Sequence, residues 1–307
     1  ILTHLYIEGS NFTTKVFVNG SVVGEFEGGY VPFNFDISQF LNDGENILLV
    51  QTDNTLNEST VPTHKTDWWP WGGIVGDVYL VETPNNYIRN VYLQLNPDDF
   101  SQAVFKLQMA TKSSRQKVIL EIPELNYKEE FGTDSSGFIK ENIIITPELW
   151  SPSNPKLYKV IISSQNESIS DEIGFRSIKT KGQKIYLNDN EIKFKGIAMH
   201  SEPIGAPGPA FSKEHFEKLL ATAADLNINF IRAAHYPYTR HLAKVADQIG
   251  LMVWEEIPVY WNIDWENPVT LEIAKHQINR LVKRDQNRAS VVVWSVANET
   301  PFSIPRM

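Results

Sequence analysis

From Ile1 to about Thr83, apolar and polar residues alternate in short runs separated by turn residues, the period of half-buried strands. Thr14-Lys15-Val16-Phe17-Val18 leads into Asn19-Gly20, a type I′ hairpin signal, and Ser21-Val22-Val23-Gly24-Glu25-Phe26 follows as the returning arm. A second turn at Asn42-Asp43-Gly44 precedes Asn46-Ile47-Leu48-Leu49-Val50. Residues 1–84 therefore predict an antiparallel β-sandwich. It is short and opens on what reads as an internal strand, so its first part is expected to be missing. Thr83-Pro84-Asn85-Asn86 reads as a linker, after which alternation restarts, as in Ala103-Val104-Phe105-Lys106-Leu107-Gln108-Met109. The several short strands of residues 85–178 predict a second, immunoglobulin-like sandwich.

The texture changes in residues 179–307. Glu191 to Met199 reads as a hairpin arm and a strand, and Ser212 caps a helix from about Lys213 to Leu226. Ile228 to Arg232 is a strand, Thr239 to Gln248 a helix, and Gly250 its C-terminal stop. Leu251 to Glu255, Pro268 to Arg284 and Val291 to Val296 continue as strand, helix and strand. Nearly continuous apolar strands alternating with helices predict a parallel sheet covered by helices. Four strands and three helices make the first half of a (β/α)₈ barrel. The fold class is thus multidomain: β-sandwiches followed by α/β.

Composition narrows the partners. The chain of 307 residues has a formal net charge of -9, so it presents no basic field for nucleic acid or an anionic membrane surface. No apolar run approaches the roughly 20 residues that span a bilayer. Cysteine is absent, which removes thiol chemistry and leaves cytoplasm, periplasm and secretion equally open. A homo-oligomer is compatible with all of this.

Barrels of this kind carry their chemistry at the C-terminal ends of the strands. Those positions hold His200, then Arg232 and His235, then Glu255 and Glu256, then Asn298 and Glu299. Glu299 follows an apolar strand directly and is expected in the barrel mouth beside aromatic groups, where desolvation would suit a general acid. Asn298 suits a sugar hydroxyl, or simply ends the strand. His235 precedes Tyr236-Pro237, which holds the chain extended; alone it reads more readily as a structural histidine. Arg232 requires a partner at the end of an apolar strand, as an ion pair or a ligand contact. Glu255 and Glu256 alternate, so one of them faces the barrel axis and the other a salt bridge. Asp67-Trp68-Trp69-Pro70-Trp71-Gly72-Gly73 is the densest aromatic cluster, read first as a core or interdomain plug and second as a sugar platform. No metal-ligand spacing, phosphate loop or nucleophile elbow is present, although His200, His235 and Glu299 could meet in space. No cofactor is expected.

Six stretches in order resemble glycoside hydrolase family 2, the family of β-galactosidases, β-glucuronidases and β-mannosidases. Val16 to Gly20 with Gly28 to Phe33, and Trp71 to Ile74, resemble its jelly-roll sugar-binding domain. Leu149 to Tyr158 with Gly174-Phe175-Arg176 resemble the end of its immunoglobulin-like domain. Lys195 to His200, Ile231 to Pro237 and Trp294 to Glu299 resemble its barrel motifs. The resemblance implies a retaining exo-β-glycosidase acting on a β-linked glycoside or oligosaccharide. Glu299 would be the acid/base, Asn298 would bind the 2-hydroxyl, and His200, Arg232 and His235 would line the non-reducing sugar subsite. It also implies a nucleophile on a seventh strand, outside these residues, so that the 307 residues alone would be inactive. The glucuronidase branch resembles the chain more than the magnesium-dependent galactosidases do. A second reading is a non-catalytic carbohydrate-binding or scaffold protein with a degenerate barrel, which would have no reason to keep every strand end polar.

Overall fold

The alternation at the start of the chain becomes two facing three-stranded sheets and one short strand pair in a computed structural model that describes residues 1–112 and 115–301. Strand Leu2–Ile7 lies between Phe33–Asp36 and Val78–Thr83, and Thr13–Val18 lies between Ser21–Glu27 and Leu48–Asp53, all antiparallel. Val18 faces Ser21 across a turn whose central residues Asn19 and Gly20 have φ of 52° and 81°, the left-handed pair that a type I′ turn requires. The inner faces bury Leu5, Ile7, Val16, Val18 and Phe33.

The second unit has one sheet of three strands and one of four, together enclosing Leu93, Phe105, Leu107, Leu120, Val160 and Phe175. This is a two-sheet sandwich, the architecture expected of the middle of the chain. A three-stranded antiparallel connector, Ile178–Lys181, Lys184–Leu187 and Asn190–Ile192, follows it.

The third unit is the parallel sheet. Its strands are β1 (Gly196–Met199), β2 (Phe230–Ala233), β3 (Met252–Glu256) and β4 (Val291–Ser295), hydrogen-bonded in that order. Helices α1 (Lys213–Asp225), α2 (Arg240–Ile249) and α3 (Pro268–Asp285) connect them. Ser212 accepts from the His215 amide at the start of α1, Asn267 accepts from the Val269 amide before Pro268 of α3, and Gly250 ends α2 at φ 79°. Residues 302–307, which the sequence reading gives to this unit, lie outside the described residues.

The units share cores, which fixes the barrel strands relative to the sandwiches. Trp150 of the second unit is fully buried against Phe230 and Met252, and its Nε1 donates to the Asp247 carbonyl at 2.8 Å. Removing such a side chain costs about 3–5 kcal/mol. Leu5, Ile7 and Phe33 of the first unit pack with Ile257, Val259 and Leu281 of the third. The tryptophan cluster is the plug that was anticipated: Trp68 is buried and its ring lies 4.7 Å from that of Tyr236 and 6.1 Å from that of Tyr260. Of the cluster's three tryptophans, Trp69 is the well exposed one, at 66%. No helix among the described residues is long and apolar enough to cross a membrane.

Candidate active site

Parallel register puts Ala198, Arg232 and Trp254 side by side on one face of the sheet, with Glu256 one step nearer the strand ends on that same face. Ile231, Ala233, Val253 and Glu255 take the opposite face, under the helices. Only one of the two neighbouring glutamates can then reach Arg232. It is Glu256, wholly buried, which accepts from Arg232 Nη2 at 2.8 and 2.9 Å and from Arg232 Nε at 3.1 Å.

Glu256 also accepts from Trp254 Nε1 at 3.1 Å and from His235 Nδ1 at 2.8 Å. A carboxylate oxygen accepts here, so His235 donates from Nδ1 and its Nε2 stays clear of this contact. The 3.4 Å approach of Arg232 Nη2 to the same Nδ1 sets two donors face to face and is a packing contact. Arg232 Nη2 donates further to Asn298 Oδ1 at 2.6 Å. An arginine cannot accept, so this contact orients the amide and leaves Asn298 Nδ2 as the free donor. That nitrogen is buried and has no partner among the described residues.

Asn298 is placed by backbone pairing between the loops after β3 and β4: its N–H donates to the Val259 carbonyl at 2.8 Å and its carbonyl accepts from the Trp261 N–H at 3.2 Å. Glu299 follows at φ 50°, and this left-handed residue turns its side chain out of the strand direction. Its Oε2 accepts from Trp261 Nε1 at 2.7 Å. The aromatic neighbour foreseen for Glu299 is therefore present, but the desolvation is not, because Glu299 is exposed. It borders an open cleft of about 760 Å³ lined with Trp254, Trp265, Val293 and Trp294, beside the edge of β4 that has no neighbouring strand among the described residues. His200 directly follows β1, and its ring stands 5.6 Å from that of His235. Burial lowers its pKa, with the neighbouring His235 acting in the same direction.

All five anticipated residues thus gather at the C-terminal ends of the strands. Three further residues join them. Tyr260 lies with its ring 4.9 Å from that of His235 and 4.8 Å from that of Trp261. Asp67, from the first sandwich, accepts from the Tyr260 hydroxyl. Burial, with the Asp67 contact second, holds the Tyr260 phenol far above the usual range. Trp261 completes the set. Glu255 is excluded: it is buried under the helices with Arg284 3.6 Å away, and burial together with Asp285 pushes its carboxyl well above the ordinary range. The trio His200, His235 and Glu299 does not form a metal-type cluster among the described residues. Glu8, Asp77 and His241, with ligand atoms within 4.8 Å of one another, do so outside this site, and Glu8 already accepts from Arg240 there.

Three domain models of one family match the chain in succession: the sugar binding domain of glycosyl hydrolases family 2 over residues 2–84, the family's middle domain over 86–176, and its TIM barrel domain over 178–305. The chain belongs to glycosyl hydrolases family 2. A β-galactosidase from Thermoanaerobacterium thermosulfurigenes is 28% identical over 95% of this chain and 44% of its own length. A β-galactosidase from Thermoanaerobacter pseudethanolicus is 28% identical over 95% of this chain and 42% of its own. The solved β-D-glucuronidase of Dictyoglomus thermophilum is 26% identical and superposes with a TM-score of 0.82 over 97% of this chain and 57% of that one. The chain spans about two fifths of the length of the curated family 2 relatives it matches.

Proposed function

We propose that these residues form the acid/base half of a retaining exo-β-glycosidase for a terminal β-linked glucuronide or galactoside. The observation that carries the reading is the group Arg232, Glu256, His235 and Asn298, which leaves one buried amide donor, Asn298 Nδ2, unpartnered among the described residues, beside Glu299. An unpaired buried donor costs about 1–3 kcal/mol, a penalty that a sugar hydroxyl removes on binding. Asn298 Nδ2 would take the 2-hydroxyl, His235 Nε2 and His200 would line the subsite of the same sugar, and Arg232 would hold both Asn298 and Glu256 in place.

Glu299, exposed and with Oε1 outside the Trp261 contact, would protonate the departing glycosidic oxygen and later take a proton from water. Retention needs a second carboxylate about 5 Å from the first to attack the anomeric carbon. Glu256 is unsuited, because both its oxygens already accept from Arg232 and from Trp254 or His235. Glu255 points to the other face of the sheet. The resemblance to family 2 implies a nucleophile on a seventh barrel strand, outside these residues.

The test is hydrolysis of aryl β-glucuronides and β-galactosides by the 307-residue chain, by a polypeptide extended through the remaining barrel units, and by the extended form carrying Glu299→Gln. The chain alone should stay at background while the extended form turns over. Turnover by the chain alone at a comparable rate would refute the two-carboxylate assignment.

A further inference from the structure

Trp261 was not foreseen as part of the site, and its place there is built from several independent contacts. It lies five residues beyond β3, at φ 49°, a left-handed backbone that bulky residues rarely adopt. Its partner Glu299 lies four residues beyond β4 in the same conformation, at φ 50°. The two loops run side by side, bridged between Tyr260 and Asn298, so two unusual backbone positions face each other across one pairing. The Tyr260 ring, 4.8 Å away and tied through its hydroxyl to Asp67, supports the indole from the side of the first sandwich. The result is a single directed hydrogen bond, Trp261 Nε1 to Glu299 Oε2 at 2.7 Å.

An indole N–H can only donate, which makes this contact asymmetric. It favours Oε2 as the oxygen without a proton, since an unprotonated carboxyl oxygen is the stronger acceptor. The remaining oxygen, Oε1, is then the one that carries a proton when the carboxyl is neutral. A flexible, exposed glutamate gains from this both a fixed rotamer and a fixed choice of oxygen.

We infer that Trp261 is the positioning residue of Glu299, holding Oε2 so that proton transfer to and from the glycosidic oxygen runs through Oε1. The inference rests on the acid/base reading of Glu299 given above. In the first step the proton leaves Oε1 for the glycosidic oxygen as the bond from that oxygen to the anomeric carbon breaks and the nucleophile's bond to the carbon forms. In the second, water gives its proton to Oε1 as its oxygen bonds the anomeric carbon and the glycosyl-enzyme bond breaks. Trp261 touches neither substrate atom in either step.

The test uses the extended polypeptide and a series of aryl and alkyl glycosides whose leaving groups run from strongly activated to poor. Trp261→Phe keeps a ring against Tyr260 but removes the donor. It should lower kcat about tenfold on the poorest leaving group and less than about twofold on the most activated one, with KM within about twofold throughout. Glu299→Gln should show the same leaving-group dependence more steeply. Should Trp261→Phe fail to fold, 3-benzothienylalanine at position 261, which replaces N–H by sulfur in the same ring shape, asks the same question. If Glu299→Gln steepens the dependence while the position 261 variant lowers all substrates equally or none, the positioning role is overturned and the acid/base reading stands. If Glu299→Gln leaves the dependence flat, the acid/base reading fails and the inference fails with it.

Discussion

Glu256 gives both carboxylate oxygens to the Arg232 guanidinium, at 2.8 and 2.9 Å, from a side chain with no exposure to solvent. The pair joins the ends of β2 and β3 and is the frame on which His235, Trp254 and Asn298 are hung. Arg232→Ala should leave a buried carboxylate without its main counter-charge and destabilise the fold by about 3 kcal/mol. Urea denaturation measures this. A loss below about 1 kcal/mol would mean that the pair does not hold the strand ends together.

A second junction ties the first sandwich to the barrel. Glu8, almost fully buried, accepts from the backbone N–H of Arg240 at 2.6 Å and from Arg240 Nε at 3.2 Å. Arg240 opens α2, whose own N-cap residue, Thr239, makes no capping bond, so Glu8 caps the helix from another unit. Glu8→Ala should cost about 2 kcal/mol and speed amide exchange in the first turn of α2. Exchange unchanged there, or raised equally in α1 and α3, would contradict the capping role.

Some of this was legible in the sequence and some was not, and locality divides the two. Asn19-Gly20, Ser212 and Gly250 act through their own few residues, so turn, cap and stop fall where the chain signals them. Strand ends name His200, Arg232, His235, Asn298 and Glu299 because a parallel sheet sends its C-terminal ends to one side. Alternation shows that Glu255 and Glu256 part ways, but which of them meets Arg232 depends on register with β2. Trp261, Tyr260 and Asp67 had no local signal, since pairing between two loops and docking of a separate sandwich bring them in. The exposure of Glu299 was missed because an apolar run before a residue says nothing of a left-handed turn at it.

The contact between the second sandwich and the barrel leaves no room at Gly250. A Cβ there would lie 2.4 Å from the Pro152 carbonyl oxygen, and φ is 79°. Gly250→Ala should destabilise the protein by about 1–3 kcal/mol through strain and overpacking together. Thermal unfolding checks this, and an unchanged midpoint would show that the two units are not in close contact at that point.

Stability should also depend on Asp247. Burial raises its carboxyl to about 6, against the opposing pull of Arg288. A carboxyl whose folded pKa lies above its unfolded value of 3.8 adds stability that is fully present below that value. This contribution is lost as pH rises through about 6. Asp247→Asn should therefore narrow the difference in unfolding free energy between pH 4 and pH 7 measured in urea. An identical difference in the two proteins would contradict the assignment.

The central claim is that Glu299 is the acid/base of a retaining site, and azide trapping tests it most directly. In the extended polypeptide, Glu299→Ala should form the glycosyl-enzyme from an activated aryl glycoside, because a good leaving group needs little acid help. With no base to activate water, the intermediate should persist until added azide attacks it. The account predicts faster turnover with azide and accumulation of the β-glycosyl azide, the retained configuration. No rate increase, or an α-glycosyl azide, would contradict it.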